Sequence, residues 1–478
     1  MRRPARSLLA VPASFATLAA LVPGGDVALP DPAPALWVDA TSPACSDTQG
    51  RVLDPSHPYC SVARAASQVV AGDTVRVAPG RYPGTVRPAH GGAPDAPIRF
   101  VADGAGVVLD GAGAANTIKL IATPDVQFTG FEVTGAVNQG VWIEASDRIL
   151  LDHVVVRGNP GAGVQIKSGT GTTVTFGDLS ANGRAGLLEL AAGRGTTVTD
   201  STVTANGRDG LPYNGDGLQL GGTGDEVARS DISGNGDSQY EHGIYTSAGS
   251  SGWRLHDNRL TGNAGANIKA AGTGAITGNR STDGRWGIVL SDNPAPVAVT
   301  QNVIGGAAQH LVFLTTGTTA ARALITQNAI VQRGRATATG DASGVFVVAA
   351  DDLEMRNNLV AYTGSDAAGV SVALNDLTRV GRLVSDTNWW TANDGQSRHL
   401  ALNGSRVTLT TWRRRTGQDL RSLTSWAPAF DAALRVTSTN WGAGRGDNLG
   451  LPTDFAGEPR PVIGRVDIGA YNAAALAG

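Results

Sequence analysis

One short pattern recurs along the chain and constrains the fold more than any other feature: a glycine, once replaced by histidine, then an apolar, a variable and a second apolar residue. Most copies are 22 to 26 residues apart, and the intervals 186–217 and 310–344 are longer. Alternation of this kind is typical of a strand with one buried face. The ten copies are GVWIE at 140, GVQIK at 163, GLLEL at 186, GLQLG at 217, GIYTS at 243, GANIK at 265, GIVLS at 287, HLVFL at 310, GVFVV at 344 and GVSVA at 369.

A unit of this length holds two or three short strands and cannot bury its apolar face alone. Stacking the units in one direction encloses a ladder of Val, Ile and Leu from the first and third positions after the glycine. Turns rich in Gly, Asn and Asp, as in "TVTDSTVTANG", supply backbone conformations with positive φ. The repeat therefore predicts an all-β solenoid of about ten or more coils.

This architecture resembles the right-handed parallel β-helix proteins, a group that includes pectate lyases, polygalacturonases, and alginate lyases and epimerases. "YCSVARAASQVVAGDTVRVAPGRYPGTVRP" is similar to their N-terminal cap, with a short helix from about Ser61. "TDFAGEPRPVIGRVDIGAY" is similar to the closing segment of secreted members. The resemblance implies a right-handed parallel β-helix with its N-terminal capping helix over 36–385, followed by terminal strands and an irregular C-terminal cap over 386–478.

The first residues, "MRRPARSLLAVPASFATLAALV", place three arginines before a short apolar stretch that proline interrupts. This pattern predicts a secretory signal peptide over about residues 1–30, with no membrane span after its removal. Cys45 and Cys60 are the only two cysteines, and in a secreted protein we expect them to form a disulfide. A formal charge of −3 gives no basic footprint for nucleic acid. We therefore expect a secreted, extracellular monomer.

Polar side chains concentrate in "DSQYEHGIYTSAGSSGWRLHDNRLTGNAGANIKAAG" at 237–272 and in the adjacent coils. Equivalent positions of stacked coils lie about 4.8 Å apart, so residues of four consecutive coils share one side of the solenoid. Counting from each repeat glycine puts Tyr245 and Asn267 in one outward column and Lys269 in another. Residues just before the glycine reach solvent only if the glycine marks a bend. The predicted groove contains Asp216, Gln219, Glu241, His242, Tyr245, Asn267, Lys269, Arg285 and Trp286.

Lys269 is one of three lysines in a chain that otherwise uses arginine. Lysine can lose its proton and act as a base, whereas arginine cannot. Abstraction of the proton α to a uronate carboxylate needs a base, a group that holds the carboxylate, and an acid for the leaving oxygen. Lys269 or His242 is the candidate base and Tyr245 the candidate acid. His242 is alternatively a turn histidine whose ring binds the backbone.

Four further residues are candidate substrate contacts. Arg285 and Asn267 would hold the carboxylate, and Trp286 would offer a platform on which a sugar ring stacks. Gln219 adds a polar contact on a neighbouring coil. Together the nine residues predict a carbohydrate-active enzyme, a lyase or an epimerase, that acts on an acidic, uronic-acid polysaccharide.

Two alternatives stay open. "NGDGLQL" at 214–220 is similar to the Asn-Thr-Asp-Gly strand of polygalacturonase-type glycoside hydrolases, and this resemblance implies catalytic roles for Asp216 and Glu241. The chain departs from that family in later coils, where Gly265–Asn267 stands in place of Gly-His-Gly. The second alternative is a non-catalytic polysaccharide-binding or structural surface protein. A metal ligand set is not identifiable, although Asp216 and Glu241 are candidate Ca²⁺ ligands.

Overall fold

The computed structural model describes residues 35–208, 210, 215–333, 342–363, 370–392, 399–438 and 441–472. These residues form three long β-sheets in which neighbouring strands come from successive coils. Every pairing between strands is parallel except the last one in sheet 3, Leu400–Leu402 with Ser405–Val407, within the part of the chain that the structure describes. The solenoid predicted from the repeat is thus confirmed. The predicted signal peptide and parts of both long repeat intervals, 211–214 and 334–341, lie outside the described residues.

The strands group as follows. Sheet 1 has fourteen strands: Ala35–Val38, Thr74–Val77, Ile98–Ala102, Val126–Thr129, Leu150–Asp152, Thr173–Thr175, Thr197–Thr199, Glu226–Ala228, Ser251–His256, Thr273–Thr277, Val297–Thr300, Ala321–Thr326, Ala350–Arg356 and Val380–Asp386. Sheet 2 has fourteen: Gly80–Pro83, Val107–Asp110, Glu132–Thr134, Val155–Arg157, Asp178–Ser180, Thr202–Thr204, Asp231–Ser233, Arg259–Thr261, Arg280–Thr282, Val303–Gly305, Ala329–Gln332, Leu359–Tyr362, Trp389–Ala392 and Leu423–Trp426. Sheet 3 has thirteen: Asn116–Ile121, Gln139–Glu144, Val164–Thr170, Leu187–Arg194, Leu218–Leu220, Ile244–Thr246, Ala266–Ala270, Trp286–Leu290, His310–Leu314, Ser343–Val347, Val370–Leu374, Leu400–Leu402 and Ser405–Val407.

The core is a ladder of apolar side chains that point inward from each coil. The first position after the repeat glycine is fully buried in successive coils and stays in register across sheet 3. Burial of each such side chain stabilises the fold by about 1.5–3 kcal/mol. This column contains Val141, Val164, Leu187, Leu218 and Ile244.

The repeat glycine is required where the chain bends from sheet 2 into sheet 3. A Cβ atom at Gly217 would lie 2.6 Å from the carbonyl oxygen of Gly243 and 2.8 Å from the Nδ2 atom of Asn235. Any side chain at Gly217 would therefore displace the next coil or the buried asparagine beside it. The bend also brings the residues just before the glycine to the rim of sheet 3.

Two ladders of buried asparagines form hydrogen bonds with the polar backbone groups inside the turns. In each ladder the Nδ2 atom of one residue donates to the Oδ1 atom of its equivalent in the next coil, at 2.9–3.1 Å. Such bonds pair groups that would otherwise be buried without partners. The first ladder, at the bend into sheet 3, contains Asn159, Asn182, Asn206, Asn235 and Asn263. The second, between sheets 1 and 2, contains Asn258, Asn279, Asn302, Asn328, Asn358 and Asn388.

The capping helix and the disulfide that were predicted near the N-terminus are both confirmed. The helix Val62–Ala66 begins after Ser61, whose hydroxyl accepts a hydrogen bond from the backbone N–H of Arg64. Cys45 and Cys60 form a disulfide with a Cα–Cα distance of 5.0 Å. No helix in the described ranges is long and apolar enough to cross a membrane.

The C-terminal segment folds back onto the outer face of sheet 2. The helix Leu409–Thr416 and a short 3₁₀ helix, Leu377–Arg379, precede it. Arg280 donates to the carbonyl oxygen of Ala433 at 3.0 Å, and Leu434 packs against outward apolar residues of sheet 2. Sheet 2 is therefore covered over these coils.

Candidate functional site

Tyr245 and Lys269 lie side by side on the outward face of sheet 3. The two residues are direct partners on neighbouring parallel strands, and Gln219 is the partner of Tyr245 on its other side. All three side chains are half-buried. The Nζ atom of Lys269 lies 5.7 Å from the centre of the Tyr245 ring. The structure therefore brings the predicted base and the predicted acid together.

The predicted register in the coil of Lys269 is wrong by two residues. Ile268 pairs with Ile244, so Asn267 occupies the position that the repeat glycine takes in other coils. Gly265 lies two residues earlier and only mimics the repeat glycine in the sequence. Lys269 therefore occupies the column that was assigned to Asn267.

The structure also corrects the expected position of Asn267 in the groove. Asn267 is fully buried, and its Oδ1 atom accepts a hydrogen bond from Asn263 at 2.8 Å. Its Nδ2 atom donates to the Ser281 hydroxyl at 3.0 Å and to the carbonyl oxygen of Thr282 at 2.9 Å. Asn267 thus extends the first asparagine ladder, and its amide is not presented to a substrate.

Asp216 and His242 lie at the bend, at the rim of sheet 3 next to Tyr245. Asp216 is 4% exposed and His242 is 7% exposed. Burial raises the pKa of Asp216 to about 8, and the charge of Glu241 adds to this effect, while the hydrogen bond from the His242 backbone and the charge of Lys269 oppose it. Burial, together with the smaller effect of Lys269, lowers the pKa of His242 to about 3. At neutral pH both side chains are therefore uncharged.

The hydrogen bonds of His242 fix its tautomer. Its Nδ1 atom accepts a hydrogen bond from the backbone N–H of Ala266 at 3.0 Å. A neutral imidazole whose Nδ1 accepts carries its proton on Nε2. His242 is therefore a hydrogen-bond donor at Nε2 rather than a base, and of the two candidate bases this geometry favours Lys269.

Tyr245 and Glu241 are two further titratable groups of the site, and their surroundings fix what each can do. Burial raises the pKa of the Tyr245 hydroxyl, and the nearby Asp216 and Asp292 add to the effect, so the phenol is a proton donor at neutral pH. Glu241 is fully buried, and its Oε2 atom accepts hydrogen bonds from the backbone N–H groups of Asp237 and Ser238 at 2.8 and 3.0 Å. The carboxylate of Glu241 thus stabilises a turn. Inverting hydrolysis needs an acid and a base with a water molecule between them. Because the carboxyl groups of Asp216 and Glu241 are both buried, the site does not favour this reaction.

Arg285 is a cation at the same rim. Its guanidinium carbon lies 4.9 Å from the centre of the Trp286 ring, and both side chains are half-buried. Its Nε atom is buried and has no hydrogen-bond partner in the part of the chain that the structure describes. The guanidinium of an arginine at this rim can pair with the carboxylate of a ligand.

Sequence reasoning predicted Trp286 but missed three aromatic residues beside it, His310, Phe313 and Phe346. We call these four residues the aromatic strip: Trp286, His310, Phe313 and Phe346. The rings of Trp286 and Phe313 are 6.2 Å apart, and those of His310 and Phe346 are stacked at 4.2 Å. Phe313 and Phe346 hold the same outward position as Tyr245 in their coils. The outward column of the repeat from which Tyr245 was predicted also contains Phe313 and Phe346, so it could have identified both residues.

Comparisons with known proteins agree with this architecture. Two family models match parts of the chain: "Right handed beta helix region" over residues 105–275 and "Periplasmic copper-binding protein (NosD)" over residues 209–380. The chain is a right-handed parallel β-helix. No curated protein matches it significantly.

Solved structures share this fold at low identity. The β-helix is similar to XylC in complex with xylose, with a TM-score of 0.52 and 11% identity over 92% of this chain and 98% of that one. It is also similar to the A-module of the mannuronan C-5 epimerase AlgE6 from Azotobacter vinelandii, with a TM-score of 0.46 and 16% identity over 77% and 93% of the two chains. For the pectate lyase Pel9A the TM-score is 0.42 and the identity 14%, over 92% and 97%. At these identities the likeness shows the fold alone.

The described residues of this β-helix do not fit a copper or calcium site. In the described ranges, no group of three or more His, Cys, Asp or Glu side chains is arranged to hold a metal ion. Cys45 and Cys60 are both used in the disulfide. The carboxylates of Asp216 and Glu241, the candidate Ca²⁺ ligands, are held by backbone N–H groups instead.

Proposed function

We propose that this β-helix acts on an acidic polysaccharide by abstracting the proton at C5 of a uronate residue. The observation that carries the proposal is the Tyr245–Lys269 pair, which sets an amine and a protonated phenol beside each other on neighbouring strands. Beside this pair, the neutral form of Asp216 keeps a negative charge away from a bound carboxylate. Arg285 on the next coil supplies the positive charge that would neutralise it.

In the elimination reaction, the neutral amine of Lys269 takes the C5 proton and becomes an ammonium. The bond between C4 and O4 then breaks, a double bond forms between C4 and C5, and O4 takes the proton of the Tyr245 hydroxyl. The ammonium of Lys269 lies beside the resulting phenolate and can return the proton to it. Protons are therefore balanced within the pair after each turnover.

The same pair also supports epimerisation. If Tyr245 returns a proton to C5 from the opposite face of the sugar, the configuration at C5 inverts and the glycosidic bond stays intact. Both reactions share the first step and differ in the atom that Tyr245 protonates. The two outcomes are separable by product, since only elimination creates an unsaturated uronyl end that absorbs ultraviolet light.

The compartment is part of the proposal. The arginine-rich apolar leader supports export, and the Cys45–Cys60 disulfide is typical of proteins that work in an oxidising environment. An extracellular polysaccharide would meet the protein there.

The test is a screen of uronate polymers with matched lysine variants. Purified protein is incubated with pectin, alginate and glycosaminoglycans, and ultraviolet absorbance and the C5 configuration of the products are followed. We expect Lys269→Ala to abolish turnover on the polymer that is converted. Lys167→Ala is the control, because Lys167 is an exposed lysine on sheet 3 that pairs with Glu144 on the neighbouring strand. Turnover by Lys269→Ala at the rate of the control would reject the proposal.

A further inference from the structure

The aromatic strip continues the outward column of Tyr245 and Lys269 toward the C-terminal coils. Phe313 and Phe346 follow Val289 in this column, on the next two strands of sheet 3. Tyr245 and Phe346 are separated by four strand spacings, roughly 19 Å, which is the length of a few sugar rings. The strip is therefore contiguous with the pair on which the proposed function rests.

The strip combines accessible aromatic rings with an absence of charge. Its four side chains are all half-buried, so part of each ring faces solvent. The rings of His310 and Phe346 are nearly parallel, with an angle of 6° between them, and the rings of Phe313 and Phe346 are 5.8 Å apart. Burial lowers the pKa of His310 to about 4, so its ring is neutral at neutral pH. Such a row presents a continuous uncharged aromatic surface.

A hollow of about 290 Å³ follows the strip. Phe346 forms one wall, and Ala373, Ala401 and Arg406 line it further along sheet 3. The volume lies at the lower end of the range for small-molecule sites and suits a single sugar ring. The column thus leads from the Tyr245–Lys269 pair, over the strip, into a space of defined size.

We propose that the aromatic strip and the hollow bind neutral sugars of the same polysaccharide chain whose uronate lies at Lys269. The proposal rests on the proposed function in that one respect. The substrate class is then a heteropolysaccharide whose backbone joins uronic acids to neutral pyranoses, rather than a homopolymer of uronates.

The electrostatics of aromatic rings distinguish the two classes of polymer. A neutral pyranose presents an apolar C–H face, which stacks on an aromatic ring. A uronate at every position would place carboxylates over ring faces that carry partial negative charge. Arg285, stacked on Trp286 at the start of the strip, would serve the uronate nearest to Lys269.

The experiment measures binding with a matched pair of variants. The affinities of the purified protein for two homopolyuronates, polygalacturonate and alginate, are compared with those for two heteropolymers, gellan and rhamnogalacturonan. The test variant is the double substitution Phe313→Ser with Phe346→Ser. The control is Phe176→Ser, because Phe176 is an exposed aromatic residue that also stacks on a histidine, His153, away from sheet 3. Circular dichroism and thermal unfolding confirm that each variant is folded.

We expect at least one heteropolymer to bind more tightly than both homopolyuronates. The double variant should lose about tenfold in affinity for that heteropolymer, and the control should bind as the unaltered protein does. The inference is overturned if the homopolyuronates bind as tightly as the heteropolymers, or if the double variant keeps full affinity. It is also overturned if the strip instead holds a second copy of the chain, seen by light scattering as a dimer that the double variant abolishes.

The same variants separate this inference from the proposed function. Loss of turnover in Lys269→Ala without any effect of the double variant on binding would overturn only the assignment of the strip. Reduced heteropolymer binding by the double variant, with full turnover by Lys269→Ala, would overturn only the proposed proton abstraction.

Discussion

The Oδ1 atom of Asp216 accepts a hydrogen bond of 2.6 Å from the backbone N–H of His242 in the next coil. This bond holds two rim residues of neighbouring coils together, just before the glycine bend and beside Tyr245. Because both side chains are buried and uncharged at neutral pH, Lys269 and Arg285 are the basic groups that a uronate would meet in the described part of this rim.

The proposed proton abstraction predicts that ionisation of Asp216 limits turnover at high pH. Its pKa is raised to about 8, so the carboxyl is neutral below that pH and negatively charged above it. The charged form would repel a uronate and stabilise the ammonium form of Lys269, which cannot act as a base. The side chain of Asp216→Asn cannot ionise. We therefore expect the ratio of its turnover rate to that of the unaltered protein to rise about fivefold to tenfold between about pH 7 and pH 9. Parallel pH profiles of the two proteins would contradict this role.

A second buried acid makes the fold itself sensitive to alkaline pH. Glu189 is 1% exposed, and its Oε2 atom accepts a hydrogen bond from the backbone N–H of Gly222 at 3.0 Å. Burial and then the charge of Asp225 raise the pKa of Glu189 to about 8. Since the folded chain holds this proton more tightly than the unfolded chain, the stability that it contributes is lost as pH rises from about 4.5 toward 8.

The amide of Glu189→Gln can donate to Asp225 at any pH. We therefore expect the midpoint of thermal unfolding to fall less between about pH 6 and pH 9 in this variant than in the unaltered protein. Glu132→Gln is the control, since Glu132 belongs to a surface ion pair with Arg157, and such pairs contribute little to stability. If Glu189→Gln and the control lose the same number of degrees, the buried carboxyl pair does not set this dependence.

The asparagine ladder at the bend predicts a large stability effect from one amide. The Nδ2 atom of Asn182 donates to Asn206 Oδ1 and to the carbonyl oxygen of Val156, both at 3.0 Å, and its Oδ1 atom accepts from Asn159. Asn182→Ala leaves these buried groups without partners, so the free energy of unfolding should fall by about 2–4 kcal/mol. Denaturant unfolding measures this change. Asn138→Ala, at an exposed position, should change it by less than about 0.5 kcal/mol, and equal effects would show that the ladder does not stabilise the bend.

The fold could be predicted from the repeat, because the alternation after each glycine indicates which side chains point inward. Val141 and Ile244 are buried as that alternation requires. The disulfide followed from the two cysteines, and the capping helix followed from the resemblance of the segment around Ser61 to the N-terminal caps of β-helix proteins. The positions of equivalent residues in stacked coils also predicted that Tyr245, His242 and Lys269 lie on one side of the solenoid.

The remaining features depend on contacts between coils that the repeat does not encode. Gly265 looks like the repeat glycine, but Asn267 takes that place because its side chain fits the end of the buried ladder. Glu241 looks like a catalytic acid but binds the backbone of its own turn. The burial that neutralises Asp216 arises only when the next coil covers it.

Proton exchange at C5 tests the central claim most directly, with Tyr245→Phe and Lys269→Ala compared in heavy water on the polymer that the protein converts. Tyr245→Phe keeps the base and lacks the acid, so it should introduce deuterium at C5 while product formation falls by about 10²- to 10⁴-fold. Lys269→Ala should introduce no deuterium at C5. Deuterium uptake by Lys269→Ala at the rate of the unaltered protein would contradict the account, because another group would then take the proton.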